Sequence, residues 1–160
     1  MAHEYRAKVT WERGSQPFTD NKYSRGHLWS FDGGVSVPGS SAPSPMVPVP
    51  LSREDAVDPE EALVAAVSSC HMLFFLAFCA IKGFRVDAYV DEALGTMTKN
   101  EKGKLYISHV ALKPVVTWSG DKKPTIEEID RMHHRAHEEC YIANSLRAEV
   151  EIVNTEPVYA

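Results

Sequence analysis

Cysteine is scarce in this chain of 160 residues: there are three, an odd number, and no CxxC pair. That excludes the disulfide framework of a secreted scaffold and leaves thiol chemistry or plain burial to explain them. Basic runs are missing as well. The net charge is −5 with acids and bases interspersed, so nothing offers a stripe for a phosphate backbone, and a nucleic-acid partner is excluded. The N-terminal stretch MAHEYRAKVTWERG lacks an apolar signal core, and the one long apolar run is interrupted by polar residues, so a soluble, cytoplasmic protein with no membrane partner is expected. No internal repeat occurs, and the length suits a single domain spanning 1–160.

What is present is organised around Asp58–Gly83, which reads as one long buried helix. Asp58 is suited to the N-cap, Pro59 to the first helical position, and Glu60 and Glu61 to the positive end of the helix dipole. Gly83 offers a left-handed cap at the far end. Between them the sequence is apolar nearly all round, except for a central turn, Ser68-Ser69-Cys70-His71, and Cys79. Polar residues in a core helix cost desolvation unless they find partners, which makes that turn the first candidate for chemistry.

The remaining elements follow from periodicity. Tyr5–Trp11 and Lys22–Asp32 alternate as strands, and the Asp32-Gly33-Gly34 turn leads to a hairpin partner through Val35 and Val37. Five prolines between Pro38 and Pro50 impose a long extended loop. Arg85–Lys99 and Lys104–Trp118, joined by an Asn100–Gly103 turn, predict a long antiparallel hairpin. Thr125 and Glu128 form a capping box for a second helix whose inner face carries Ile126, Ile129, His133, Ala136, Cys140 and Ala143. Leu146–Val153 is a closing strand. The pattern predicts an α+β fold with a mainly antiparallel sheet and helices on one face.

Three constellations can carry chemistry. Cys70 and Cys140 are candidates for a reactive pair, although free cysteine is also common core filler, and the residues alone leave both readings open. Cys79, nine residues beyond Cys70 and on the opposite side of the helix, reads as structural. His133, His137 and Cys140, at i, i+4 and i+7, are a partial zinc set whose competitor is a helix of satisfied histidines. Glu60 and Glu61, with Arg25 and Arg53 upstream, are either helix caps or part of a charged site.

Pro59-Glu60-Glu61-Ala62-Leu63, Ala65-Ala66 and Ser69-Cys70, followed by the segment from Ala136 through Cys140 to Leu146, resemble the signature of the OsmC/Ohr family of thiol-dependent hydroperoxide reductases. The resemblance implies an OsmC-like, intertwined homodimer with a central helix pair and a shared active site. It also implies that Cys70 is the peroxidatic cysteine, Cys140 the resolving cysteine, and Glu60 the carboxylate that holds a catalytic arginine, which is Arg25 with Arg53 as competitor. An organic hydroperoxide would be the substrate and a dithiol the reductant, with no cofactor; Leu73, Phe74 and Phe75 would line the substrate pocket. The sequence departs from the pattern at Tyr141, where a proline commonly follows the second cysteine, and in the length of the proline loop. The alternative is a non-catalytic OsmC-like dimer that binds a metal or ligand, with zinc at His133, His137 and Cys140. Ten residues of helix between Glu60 and Cys70 span about 15 Å, so within one chain the glutamate cannot orient an arginine at the Cys70 sulfur, which is why the site is expected to need two chains.

Overall fold

In the computed structural model, which describes residues 2–160, the chain forms two compact units, one ending at Ala62 and the other running Leu63–Ala160. The first is a three-stranded antiparallel sheet, β1 (Ala7–Thr10), β2 (His27–Phe31) and β3 (Ser36–Gly39), in that order. Pro38 is tolerated because β3 is an edge strand. The proline loop that follows is irregular, held by a bridge between Ser44 and Val47 and by Ser52 Oγ donating to the Val47 carbonyl at 2.8 Å.

The long helix α1 (Pro59–Ile81) starts where expected. Asp58 caps it reciprocally: its carboxylate accepts from the Glu61 N–H at 2.8 Å, and the Glu61 carboxylate accepts from the Asp58 N–H at 3.2 Å. Gly83 ends it with φ +74°. The helix is not buried all round, however. Only 28% of its most apolar eighteen residues are buried, and Ala65, Ser69, Leu73, Ala77 and Ile81, four residues apart, form an exposed stripe. By length and composition α1 could cross a membrane.

In the second unit the expected hairpin is present but divides in the middle. β5 (Leu94–Lys99) pairs with β6 (Leu105–Leu112) across the Asn100–Gly103 turn, and β4 (Arg85–Asp91) pairs with β7 (Pro114–Ser119) farther out. The result is two three-stranded sheets, each completed by a parallel strand: β8 (Glu149–Ile152) on β6 and β9 (Val158–Tyr159) on β7. The single sheet read from the sequence is thus three sheets among the described residues. Strand β5 also lies close to α1: a Cβ on Gly95 would sit 2.6 Å from Val64 Cγ2 and force one of the two to move.

Helix α2 (Ile126–Glu139) has the predicted Thr125/Glu128 capping box. Its inner face is Ile129, Met132, His133 and Ala136; Ile126, expected inside, is exposed. These residues pack with Phe75, Phe78 and Cys79 of α1 and with Phe84, Val116 and Trp118. Phe75 is central to this core, lying 6.0 Å from the Trp118 ring and 4.0 Å from His133, ring to ring. A second core, nearer the helix start, joins Val67 to Val110 and Leu112.

Candidate functional site

Cys70 and Cys140 approach from separate elements. Cys70 sits mid-helix on α1, partly accessible. Cys140 is the C-cap of α2 rather than a member of it: its ψ of +109° turns the chain out of the helix, and a 3-10 turn (Ala143–Ser145) follows. That turn fixes the thiol. Ala143 N–H points at Cys140 Sγ at 3.4 Å, and the Asn144 side-chain amide donates to the carbonyls of Glu138 and Cys140 at 2.8 and 3.0 Å. Cys140 is fully buried, and burial pushes its thiol up to about 11, the Ala143 amide opposing and the neighbouring Cys70 side chain adding to the rise. All three cysteines are free thiols. Cys79 is enclosed in the core and its thiol is pushed up by burial to about 12, which makes it a poor nucleophile.

The turn around Cys70 is tied down by protein partners. Ser68 Oγ donates to the Asp91 carboxylate, whose other oxygen accepts from the Lys113 N–H. His71 is buried and its Nε2 lies 3.0 Å from His133 Nδ1, with the rings nearly parallel. Burial lowers His71 to about 4 and His133 to about 3, so both imidazoles are neutral at physiological pH. His71 therefore brings no positive charge to Cys70. Nor do His133, His137 and Cys140 assemble as zinc ligands: among the described residues no three His, Cys, Asp or Glu side chains are arranged to hold a metal ion. The reason is local. His133 turns Nδ1 to His71, and Cys140 sits past the helix end beside Cys70.

Phe75, expected in a substrate pocket, belongs to the core; Leu73 is exposed, and Phe74 packs edge-on against Tyr141 at 5.1 Å.

In the first unit, Arg25 and Glu60 line one groove of about 620 Å³ together with Trp11, Phe18, Tyr23 and His27. The Arg25 guanidinium lies 3.8 Å from the Tyr23 ring centre and donates to the Tyr23 carbonyl and to the backbone and side-chain oxygens of Asn21. Arg53 is committed elsewhere, in a two-pronged pair with Asp55 at 2.8 and 2.9 Å. The aromatic wall of this groove was not singled out by sequence reasoning, since Trp11, Phe18 and Tyr23 share no period. The same holds for Asp91, twenty-three residues beyond Ser68, and for the pairing of His71 with His133, which lie on different helices.

Comparison with known proteins sets these features in a lineage. The OsmC-like protein family matches residues 52–154, a span that contains Glu60, Cys70 and Cys140. An OsmC-like protein of unknown function from Vibrio cholerae is 51% identical, covering 98% of this chain and 100% of its own, with a TM-score of 0.91. More distant folds include an OsmC-like protein from Mycoplasma pneumoniae (13% identity, 99% of each chain, TM-score 0.73). An organic hydroperoxide resistance protein from Elizabethkingia anophelis is 18% identical over 100% of this chain and 97% of its own, with a TM-score of 0.63. No curated protein matches. With most of the chain matched by the family and half of its residues shared with one member, the protein belongs to the OsmC-like family.

Proposed function

We propose that this protein is a two-cysteine peroxidase that reduces organic hydroperoxides to alcohols. The observation that carries the reading is that Cys70 and Cys140 are free thiols on two elements, close enough for Cys70 to raise the Cys140 thiol, in a member of the OsmC-like family. Structural neighbours called organic hydroperoxide resistance proteins support the choice of substrate class.

The two thiols are unequal. Cys140, buried and held protonated, is unsuited to the first attack, whereas Cys70 is partly accessible. The Cys70 thiolate attacks the O–O bond and takes one oxygen as sulfenic acid, and the departing alkoxide is protonated to the alcohol. The Cys140 sulfur then displaces hydroxide from the sulfenic acid; its proton leaves with that hydroxide as water, and a disulfide remains. An external dithiol returns both thiols and is itself oxidised to a disulfide.

With His71 neutral, the charge that favours a Cys70 thiolate has to come from an arginine. Arg25 is the choice over Arg53, because it shares a groove with Glu60 while Arg53 is spent on Asp55. A homodimer supplies the geometry. The exposed stripe on α1 is self-complementary in a pair of crossing helices, and its opposite face carries Ser68 and His71 bonded to protein groups, as suits a core helix rather than a membrane span. In such a pair, Glu60 would orient Arg25 toward the partner's Cys70.

The test is direct. Reduced protein mixed with an organic hydroperoxide should consume it and accumulate a Cys70–Cys140 disulfide by mass spectrometry. Absence of both would overturn the reading.

A further inference from the structure

We infer that the groove of the first unit is a specificity site for neutral, ring-bearing hydroperoxides, with Trp11, Phe18 and Tyr23 as its selecting wall. The inference rests on the proposed peroxidase reading for the reaction, but the groove's choice of ligand can be measured without turnover.

The wall is built before any ligand arrives. Trp11 Nε1 donates to the Ser24 carbonyl at 2.8 Å, which fixes the indole. Tyr23 stacks on Phe18 with ring centres 4.7 Å apart and meets Trp11 edge-on at 5.3 Å; Trp11 and Phe18 are 5.8 Å apart. The Arg25 guanidinium lies over the Tyr23 ring, 3.8 Å from its centre. Three rings in mutual contact therefore act as one rigid apolar surface, while Trp11 and Phe18 remain substantially exposed. Fixed rings offer faces and edges to another ring with little ordering cost, and ring pairs gain beyond the area they bury. The volume of about 620 Å³ falls in the usual range for a small-molecule site.

Charge sets the rest of the preference. Arg25 and Glu60, one cation and one anion, both line the groove, and much of the Arg25 guanidinium is engaged by Tyr23 and Asn21. A carboxylate on the substrate meets Glu60, of the same sign, and finds the Arg25 N–H groups it would pair with already turned to Tyr23 and Asn21. A neutral polar atom does find a place. Ser41 lines the groove and its Oγ is buried without a hydrogen-bond partner, so an oxygen or hydroxyl of the ligand satisfies a group that otherwise carries a desolvation cost.

The experiment compares cumene hydroperoxide with tert-butyl hydroperoxide, which lacks the ring, and with linoleic acid hydroperoxide, which carries a carboxylate. Wild-type protein should favour cumene hydroperoxide in kcat/KM. Trp11→Ala should lower that value by about tenfold for cumene hydroperoxide and by less than about twofold for tert-butyl hydroperoxide, the size expected for loss of a ring contact. Phe18→Leu, a milder change, should fall in the same direction. In parallel, 2-phenyl-2-propanol, the alcohol product, is titrated against wild type and Phe18→Leu with intrinsic tryptophan fluorescence as readout, the Trp11→Ala protein showing which part of the change comes from Trp11, and tert-butanol serves as control. Saturable binding of the aryl alcohol, weakened in the variant, supports the inference even if no hydroperoxide is turned over, an outcome that would sink only the peroxidase reading. Equal loss for both neutral peroxides, preference for the fatty-acid hydroperoxide, or no saturable binding of the aryl alcohol would overturn it.

Discussion

Cys70 is partly accessible and Cys140 is buried, and substitution should separate their roles. Cys70→Ser should abolish peroxide turnover with the fold retained, because oxygen is close in size to sulfur. Cys140→Ser should still permit one turnover and leave a sulfenic acid at Cys70, detected with a sulfenate-trapping reagent; comparable labelling of Cys79 would contradict its burial in the core. The neighbouring imidazoles carry a prediction of their own. Unfolding returns His71 and His133 to the ordinary value of 6.5, so below that pH the unfolded chain takes up protons that the folded chain refuses until about 4 and about 3. Their contribution is complete above pH 6.5 and drains away as the pH falls. Between pH 7 and pH 5 the loss is about 2 kcal/mol per imidazole. Urea midpoints at the two pH values measure it, and His133→Asn should remove about half of the slope. The importance of His71 was visible in the sequence as a polar residue in an apolar helix. Its partner was not: helical spacing pairs His133 with His137, and only the packing of α1 on α2 selects His71 instead.

Elements were legible where the local signal is strong. The cap residues of both helices stand in the sequence, and the capping box at Thr125 makes a separable contribution: Thr125→Ala should lower stability by about 1 kcal/mol in chemical denaturation, with no change in peroxide turnover. Phe75 is the opposite case. Periodicity on a helix that is apolar nearly all round cannot say which face is the core, so Phe75 read as a pocket residue; in the fold it is fully buried between Trp118 and His133. Phe75→Ala should cost about 3–5 kcal/mol, measured by the same denaturation. The long hairpin was legible from its turn, but not its division at Glu92–Ala93 and Lys113, where the chain passes from one sheet to the other. The two-residue β9 was hidden because its pairing with β7 joins residues about forty apart in sequence.

At the scale of the molecule, the exposed stripe on α1 is what the proposed homodimer would cover. Leu73 is 64% exposed and Ile81 78% exposed in the single chain, and covering such residues with a second copy returns about 25 cal/mol for each Å² of apolar surface buried. Leu73→Glu should thus barely disturb a lone chain but split the proposed homodimer, which sedimentation at micromolar concentration detects. Glu60→Gln should lower the peroxidase rate without unfolding. A wild-type monomer that retains full activity would return Glu60 to the status of a helix cap. The family was legible from about thirty residues around Glu60, Cys70 and Cys140. The groove was not, because its three rings come from a strand end and a loop and meet only through the fold.

The end of α2 has one more consequence. Cys140 is both the last anchor of the helix and, in the proposed cycle, the atom that must form and break a bond at each turnover. Its backbone carbonyl takes the Asn144 amide N–H and a side-chain N–H from the same residue, both at 3.0 Å. Any shift of the sulfur toward Cys70 therefore pulls on the 3-10 turn. The redox state should be written into the solvent exchange of a few amide protons: those of 143–146 should exchange at different rates in the dithiol and disulfide forms, while those in the middle of α2 keep a common rate. Mass-resolved deuterium uptake on the two forms would read oxidation as a change in local opening, independently of any substrate.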